Sequence, residues 1–318
     1  MSISLLLEGS AMKLNVVKVL FLAAAIIPLG LVRASDSFKI STYNVRNFSA
    51  IEGIPSDIRP IDGATNPTAL NQVLSDINSD IMAFQEIING PLFESIIKEK
   101  FTKHQLIMSE CGGTADQKVA IAFNQSKFEL INSVEDWRVS LSTRCNYGLR
   151  PALVVILKNK KSKKQLAVIA VHLKAGSGQR NRNTRREQHE VLSVVIKELN
   201  EKSIKDVIIL GDFNTTSYFE QTPGAAQFED FLKDNDLRNT SSSISCTSYW
   251  QGDQHDGNMA PSHLDHILHN GNLKFVNARV GAHCSRVSCQ PTPEADLGDS
   301  FIGVSDHCPV QVEFKYAR

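Results

Sequence analysis

The sequence lacks an excess of charge of either sign, because 34 lysines and arginines balance 34 aspartates and glutamates among its 318 residues. A balanced chain is not drawn to nucleic acid by its net charge, so an anionic partner must be bound by local basic clusters. This argues against a protein that merely coats nucleic acid. Two basic clusters are present, KNKKSKK at 158–164 and RNRNTRR at 180–186. The first lies between two apolar segments and is typical of a solvated hairpin turn.

The sequence also lacks the spacings typical of structural zinc sites, because neither C-x-x-C nor H-x-x-x-H occurs. Its six cysteines are an even number, which predicts disulfides in an exported chain and leaves zinc as the weaker alternative. Sequence alone does not choose their pairing. Cys284 and Cys289 are near enough in sequence to close a small surface loop.

The N-terminal part contains no apolar run as long as the roughly 20 residues that a membrane span needs. Its apolar segment VLFLAAAII covers only 19–27, follows Lys13 and Lys18, and precedes the small-residue pattern VRA at 32–34. This arrangement predicts a secretory signal peptide at 1–34, with a membrane anchor as the alternative.

The rest of the chain, 35–318, lacks an internal repeat and lacks any linker rich in proline, glycine and serine. Its length is sufficient for one large domain with a substantial core.

Met12 is an alternative start site for translation, because residues 1–11 add nothing that a signal peptide requires.

The order of apolar segments predicts a mixed α/β fold with more strands than helices. Asn66 and Pro67 provide an N-cap and a first-turn proline before apolar residues at helical spacing. Helices are also predicted at 91–101 and 185–199, and apolar runs predict strands at 38–45, 80–86, 118–123, 151–157, 166–173, 207–210, 263–269 and 309–314.

Polar side chains recur at the ends of these apolar runs. Asp212 and Asn214, in the segment VIILGDFNTT, are two residues apart, so in an extended chain their oxygens face the same way. A local turn is the alternative explanation for such a pair. Because a buried unpaired polar group costs about 1–3 kcal/mol, a repeated pattern of this kind predicts one shared charged cleft. The other members are Asn44, Glu86, His172, Asp265, Asp306 and His307.

Seven segments, in this order, resemble those of the endonuclease/exonuclease/phosphatase superfamily, which includes deoxyribonuclease I: TYNVRNF, DIMAFQEI, LRPALVV, VHL, GDFN, LDHIL and SDHCPV. The resemblance implies a four-layer α/β/β/α sandwich of two packed mixed β-sheets with outer helices. It also implies hydrolysis of phosphate esters at one end of the sheets. The implied cofactor is Mg²⁺, with Mn²⁺ or Ca²⁺ as alternatives.

The resemblance further implies individual roles. His307 would be paired with Asp265, which fixes its tautomer and raises its basicity, while His172 would contact the phosphate from the opposite side. Which histidine is base and which is acid stays open. The implied site comprises Asn44, Glu86 and Asp306 as metal ligands, His172, Asp212, Asn214, Asp265 and His307 as catalytic residues, and Arg150 and Asn214 as substrate-binding residues.

The segment GSGQRNRNTRR follows His172 almost directly, and we expect it to form a flexible basic loop that grips backbone phosphates. A solvated start to the next helix is the alternative. Ile88 stands where the deoxyribonuclease branch has an arginine, and the minor-groove tyrosine of that branch is not evident, which argues against base-specific recognition. The substrate-binding arginines expected in this segment are Arg180, Arg182, Arg185 and Arg186.

The leading interpretation is an exported, metal-dependent and largely non-specific nuclease that acts on DNA, with RNA as a further candidate substrate. A secreted sphingomyelinase-type hydrolase is the alternative, although Trp137 and Trp250, the only tryptophans, do not lie in obviously apolar loops. A small-molecule phosphatase or a non-catalytic binding module of the same fold is less favoured. We expect a secreted or periplasmic monomer, with nucleic acid as its substrate and no stable membrane association after cleavage of the signal peptide.

Overall fold

The computed structural model describes residues 37–49, 65–216, 218–220, 222–254 and 256–316. These residues form an α/β fold with two six-stranded mixed sheets and a smaller three-stranded sheet. The predicted signal peptide lies outside the described residues. No helix in the described ranges is long and apolar enough to cross a membrane.

The strands are β1 Ser37–Phe48, β2 Ile81–Ile87, β3 His104–Met108, β4 Lys118–Asn124, β5 Phe128–Asp136, β6 Ala152–Asn159, β7 Gln165–His172, β8 Val207–Asp212, β9 Arg238–Asn239, β10 Ser248–Trp250, β11 Asn258–Ser262, β12 Asp265–His269, β13 Leu273–Val280, β14 Thr292–Pro293 and β15 Val310–Tyr316. The α-helices are α1 Pro67–Ile77, α2 Gly90–Lys100, α3 Gln179–Glu201, α4 Pro223–Asp234, α5 Ala282–Arg286 and α6 Gly298–Ile302. Short 3₁₀ helices cover Gly113–Ala115, Trp137–Ser140 and Glu294–Leu297.

The first large sheet has the strand order β13-β15-β1-β2-β4-β3, and the second has the order β5-β6-β7-β8-β12-β9. Each contains one parallel pair, β1 with β2 and β7 with β8, between antiparallel neighbours. The lysine-rich segment connects β6 to β7 as an antiparallel hairpin, which confirms its prediction as a turn.

Side chains along the central strands point alternately to the two faces of each sheet. The apolar ones are therefore buried between the two sheets and between each sheet and its outer helices. On β1, Phe38 and Ile40 pack between the two sheets, while Tyr43 and Val45 pack against α1 and α2. On β7, alternate residues such as Val168 likewise face the first sheet, and their neighbours pack against α3 and α4. Because both faces of each sheet are covered, the strands read as continuous apolar runs. The four-layer sandwich predicted from the sequence is confirmed.

The helix α1 shows why the sequence begins a helix at this position. The Asn66 side chain accepts hydrogen bonds from the backbone amides of Thr68 and Ala69, and Pro67 occupies the first turn. The apolar face predicted for this helix is buried against the first sheet, and consists of Leu70, Val73, Leu74 and Ile77.

All six cysteines form disulfides, as predicted, but the small loop proposed between Cys284 and Cys289 is wrong. The pairs are Cys111–Cys145, Cys246–Cys289 and Cys284–Cys308. The short helix α5 holds Cys284, and the chain leaving it turns Cys289 toward Cys246 instead. Zinc ligation by these cysteines is therefore excluded.

The prediction of a flexible basic loop at 176–186 is also wrong for most of that segment. The helix α3 begins at Gln179, directly after Gly178, and all four arginines lie in its first turns. Arginine and glutamine have high helix propensity, so the helix extends six residues beyond the start that its apolar pattern predicted.

Candidate active site

The site is built where β7 and β8 end side by side. These parallel strands place His172 directly opposite Asp212, and β12 places Asp265 opposite Asp212 from the other side. Gly211 precedes Asp212 with φ +142°, and a Cβ there would lie 2.0 Å from the carbonyl oxygen of Val171. Only glycine allows this approach of β8 to β7, which brings the two polar strand ends together.

The first sheet contributes Asn44 and Glu86 to the same place. The Asn44 amide nitrogen donates to Glu86 Oε1 and to Asp212 Oδ2, at 3.1 Å in each case. The backbone amide of Asn47 donates to Glu86 Oε2 at 3.0 Å. Glu86 itself adopts φ +64°, a left-handed conformation that costs energy in a non-glycine residue and is typical of functional sites. The hydrogen bonds of Asn44 therefore join the two sheets at the site.

Two histidines flank Asp212. His172 Nε2 lies 3.5 Å from Glu86 Oε1 and 3.5 Å from Asp212 Oδ2. His307 Nδ1 lies 2.8 Å from Asp265 Oδ2, and its Nε2 lies 3.8 Å from Asp212 Oδ2. The pairing with Asp265 orients the His307 ring so that Nε2 points toward the centre of the site.

Burial and charge separate the protonation states of these groups. Burial lowers the pKa of His172 well below its usual range, and the nearby Arg150 and His307 cations add to this effect. Burial also opposes protonation of His307, but the carboxylates of Asp265 and Asp212 outweigh it and hold the pKa of His307 well above its usual range. His172 is therefore neutral and His307 protonated at neutral pH.

Asp212 is the carboxylate most affected by its surroundings. Burial raises its pKa to about 7, and the carboxylates of Asp265 and Glu86 add to the increase, although His307 opposes it. A cation placed among these groups would relieve the crowding of negative charge, because a bound metal reverses such local effects.

The residues present fit a divalent cation. Glu86, His172 and Asp212 each offer a ligand atom, and these atoms lie within 4.8 Å of one another. Carboxylate oxygens suit Mg²⁺ and Mn²⁺, while a neutral imidazole is accepted more readily by Mn²⁺ than by Mg²⁺. His172 Nδ1 is buried without a hydrogen-bond partner in the described part of the chain. A second group of close ligands, at Cys284 and Cys308, is occupied by their disulfide.

Two residues predicted as metal ligands, Asp306 and Asn44, are placed differently from the three residues that offer close ligand atoms. Asp306 is outside the group of close ligand atoms, and its carboxylate is 3.6 Å from the guanidinium of Arg46. Asn44 turns its amide nitrogen toward the carboxylates, and its oxygen accepts from the backbone amide of Arg46 at 2.9 Å. Asp212, predicted as catalytic, lies among the groups able to hold a cation.

The predicted phosphate-binding residues Arg150 and Asn214 are engaged with the backbone at the end of β7. Arg150 is buried and donates to the carbonyls of His172 at 3.1 Å and Leu173 at 2.6 Å. The Asn214 side chain donates to the same Leu173 carbonyl at 3.1 Å, and its amide donates to Asp212 Oδ1 at 2.8 Å. Both residues therefore fix the position of His172 and Asp212.

The four arginines of α3 have different surroundings. Arg185 is buried and donates to the carbonyls of Lys174 and Gly176, at 2.6 and 2.7 Å, so it braces the loop that follows β7. Arg182 is half-buried and donates to the carbonyl of Ser177. Arg180 and Arg186 are exposed, and Arg186 lies 3.8 Å from Glu190 on the same helix.

Sequence reasoning missed two supporting hydroxyls. Ser305 Oγ donates to the Asn44 carbonyl at 2.7 Å and accepts from the His307 amide at 3.1 Å. Thr247 Oγ1 accepts from the Asp265 amide at 2.9 Å. The position of Ser305 in SDHCPV was a usable signal, whereas Thr247 carries none. Sequence reasoning also missed Tyr218 and Phe219, and it considered Trp250 only as a residue for entering a membrane. All three line a cleft beside Asp306 and His307.

The sequence profile of the Endonuclease/Exonuclease/phosphatase family matches residues 41–307. The chain belongs to this family. The match includes all the polar residues predicted at the ends of strands, from Asn44 to His307, so the resemblance noted from the sequence is confirmed. Members of the family are phosphodiesterases and phosphatases that use divalent metal ions, and this chain has the family's hydrolase fold.

Solved structures show the same fold at low sequence identity. The human Nocturnin catalytic domain with bound sulfate is 16% identical, with a TM-score of 0.62, covering 89% of this chain and 96% of that one. Danio rerio TDP2 complexed with a single-strand DNA product is 14% identical, with a TM-score of 0.60, covering 88% and 100%. A mannosyl-6-phosphatase from Bacteroides thetaiotaomicron is 18% identical, with a TM-score of 0.59, covering 87% and 99%. No curated protein sequence gives a significant match.

Proposed function

We propose that the protein is an exported, divalent-metal-dependent phosphodiesterase that hydrolyses nucleic acid backbones. The observation that carries the proposal is the convergence of Glu86, Asp212, His172 and His307, whose side chains approach one another within 4 Å at one edge of the two sheets. Phosphoryl transfer needs positive charge around the phosphate together with a group that moves a proton. This arrangement offers ligands that could hold a cation and histidines that can move a proton.

The groups proposed to hold the cation are Glu86 and Asp212, with His172 beside them. A bound divalent ion would neutralise charge on the phosphate oxygens and polarise the phosphorus centre. His307 holds a proton at Nε2, because Asp265 stabilises its charged form, and this proton can be donated to an oxygen of the ester. His172, which is neutral, can accept a hydrogen bond or take a proton. Arg150 and Asn214 keep the His172 end of β7 in place.

Nucleic acid is preferred as the substrate for two reasons. Arg180 and Arg186 are exposed in the first turns of α3, which follows the loop after His172, and they are available for backbone phosphates. Danio rerio TDP2, which shares the fold, has been solved with a single-strand DNA product. Export is supported by the three disulfides, which persist in oxidising compartments.

The test is hydrolysis of linear DNA, RNA and sphingomyelin by the purified protein, each with Mg²⁺ and with EDTA. We expect nucleic acid to be cleaved with Mg²⁺ and not with EDTA. Glu86→Ala should lower the rate of cleavage by at least about 100-fold, because a bound metal stabilises the transition state by several kcal/mol. Glu94→Ala removes an exposed glutamate of α2 and serves as the matched control. Full activity in EDTA contradicts metal dependence, and cleavage of sphingomyelin with intact DNA contradicts the nuclease assignment.

A further inference from the structure

A cleft of about 610 Å³ opens beside His307. Asp306 and His307 form part of its wall, so the cleft is continuous with the candidate active site. The other walls are the segment 218–220, the hairpin of β10 and β11, and the loop at 176–177. Pockets of roughly 300–1,000 Å³ are typical of sites for one small molecule, so this cleft has room for one substituent of the scissile phosphate.

Two aromatic side chains in this wall are exposed. Phe219 is 60% exposed and Trp250 is 47% exposed. Phe219 is supported by Tyr218 and His263, with ring centroids 5.0 and 5.2 Å away. Trp250 ends β10 and is held by its pairing with Ala260 of β11. Exposed rings on fixed supports provide flat surfaces on which a nucleobase can stack.

Carboxylates outnumber cationic side chains among the described residues in the wall of the cleft. Its wall contains the carboxylates of Glu220, Asp253 and Asp306, whereas no lysine or arginine of the described segments lines it. Asp306 lies beside Arg46 and His307, whereas Glu220 and Asp253 form no ion pair with a described residue. A nucleic acid chain that continued through the cleft would therefore bring further phosphates close to these two carboxylates. Carboxylates do accept hydrogen bonds from the exocyclic amino groups of bases. The wall of the cleft therefore favours binding of a base and disfavours binding of the next phosphate.

We infer that the cleft is the subsite for the terminal nucleoside of the substrate, whose base stacks on Trp250 and whose far end carries no phosphate. The inference rests on the proposed nuclease function and adds to it the position in the chain at which the enzyme cleaves. The enzyme cleaves at chain ends, because the cleft admits the last nucleoside and excludes a continuing backbone.

The first test measures binding without turnover. The chain has two tryptophans, so Trp137→Phe leaves Trp250 as the only tryptophan reporter, and Glu86→Ala in the same protein prevents hydrolysis. We expect a dinucleotide without terminal phosphates to quench Trp250 fluorescence, and the same dinucleotide with phosphates at both ends to bind at least about tenfold more weakly. Equal affinities, or an unchanged fluorescence, would overturn the inference. Quenching by phosphocholine or a hexose phosphate, without quenching by the dinucleotide, would overturn the nucleoside assignment.

The second test compares linear and circular single-stranded DNA of the same sequence. We expect the linear form to be degraded and the circular form to persist. Trp250→Ala should raise KM for the linear form by about 5- to 150-fold, the range that corresponds to loss of one base stack. Phe275→Ala removes an aromatic side chain of β13 that is 45% exposed, and as the control it should leave KM unchanged. Equal cleavage of circular DNA would overturn the inference and leave the proposed function standing, whereas no cleavage of either DNA would overturn the proposed function.

Discussion

At the scale of single residues, the candidate site is a set of buried polar groups that satisfy one another across two sheets. Asn44 from β1 donates to the carboxylates of Glu86 and Asp212, which belong to different sheets. A buried polar group left without a partner costs about 1–3 kcal/mol, so each member is tolerated only because the others are present. Substitutions here affect stability and chemistry together, and conservative changes are the informative ones.

The pair of His307 and Asp265 gives the clearest prediction at this scale. We expect His307→Ala to lower kcat by about 10²–10⁴-fold, because it removes the protonated imidazole beside Asp212. Asp265→Asn should lower kcat by a similar order, since the ring loses the charge that holds its proton.

Because these two residues act as one unit, the double variant should lose little more activity than either single variant. Steady-state kinetics on a linear oligonucleotide measure all three proteins. Losses that multiply in the double variant would show that the two residues act independently.

At the scale of elements, the sequence predicts what local patterns determine. The helix α1 follows from its asparagine cap, first-turn proline and apolar spacing, and β6 and β7 follow from two apolar runs around a polar turn. The strand-end positions of His172 and Asp212 are readable for the same reason, because polarity begins where the apolar runs stop.

Features that depend on tertiary contacts are not readable in this way. Phe219 and Trp250 belong to segments far apart in sequence, and only the packing of the β10–β11 hairpin brings them to one cleft. Arg185 resembles its neighbours in sequence, yet its position on α3 turns it inward to the carbonyls after β7. Neither outcome has a signal in the local pattern.

The basic start of α3 gives a prediction at the scale of this element. Arg180→Ser with Arg186→Ser should weaken DNA binding equally across sequences, because under the proposed function these exposed side chains would contact phosphates without reading bases. The slope of log affinity against log salt should become shallower by about 0.9 for each phosphate of duplex DNA that the variant no longer neutralises.

Lys160→Ser with Lys197→Ser removes the same charge from the β6–β7 turn and from the far part of α3, and it should leave the slope unchanged. An equal slope in the arginine variant would place Arg180 and Arg186 outside the interface. Arg185→Ser is a different experiment, because we expect it to lower stability by releasing the loop after β7.

At the scale of the whole molecule, two of the three disulfides have different relations to the site. Cys111–Cys145 joins loops after β3 and after the 3₁₀ helix at 137–140, while Cys284–Cys308 tethers the residue next to His307 to α5. Removal of either pair by serine should lower the free energy of unfolding by about 2–5 kcal/mol. Only the Cys284–Cys308 variant should also lower kcat, because it releases the chain beside His307. Urea unfolding and kinetics at a temperature where both variants are folded test this, and equal kcat losses would contradict it.

The buried histidines give the molecule a stability that depends on pH. Burial lowers the pKa of both His189 and His283 to about 3, against about 6.5 for a histidine in the unfolded chain. Below a pH of about 6.5 the unfolded chain therefore binds protons that the folded protein does not, so stability falls as the pH decreases toward about 3. Each such histidine contributes up to about 1.4 kcal/mol per pH unit to this loss.

His189 allows this prediction to be assigned to one residue. Its ring stacks on Phe231 at 4.6 Å, and neither ring nitrogen has a hydrogen-bond partner within the described residues, so His189→Phe keeps the packing and removes the titration. We expect urea unfolding between about pH 6 and pH 4 to show a shallower loss of stability in this variant, by about 1.4 kcal/mol per pH unit in the lower half of that range. Parallel curves for the two proteins would show that folding does not lower the pKa of His189, and the burial of its ring would then not control its charge.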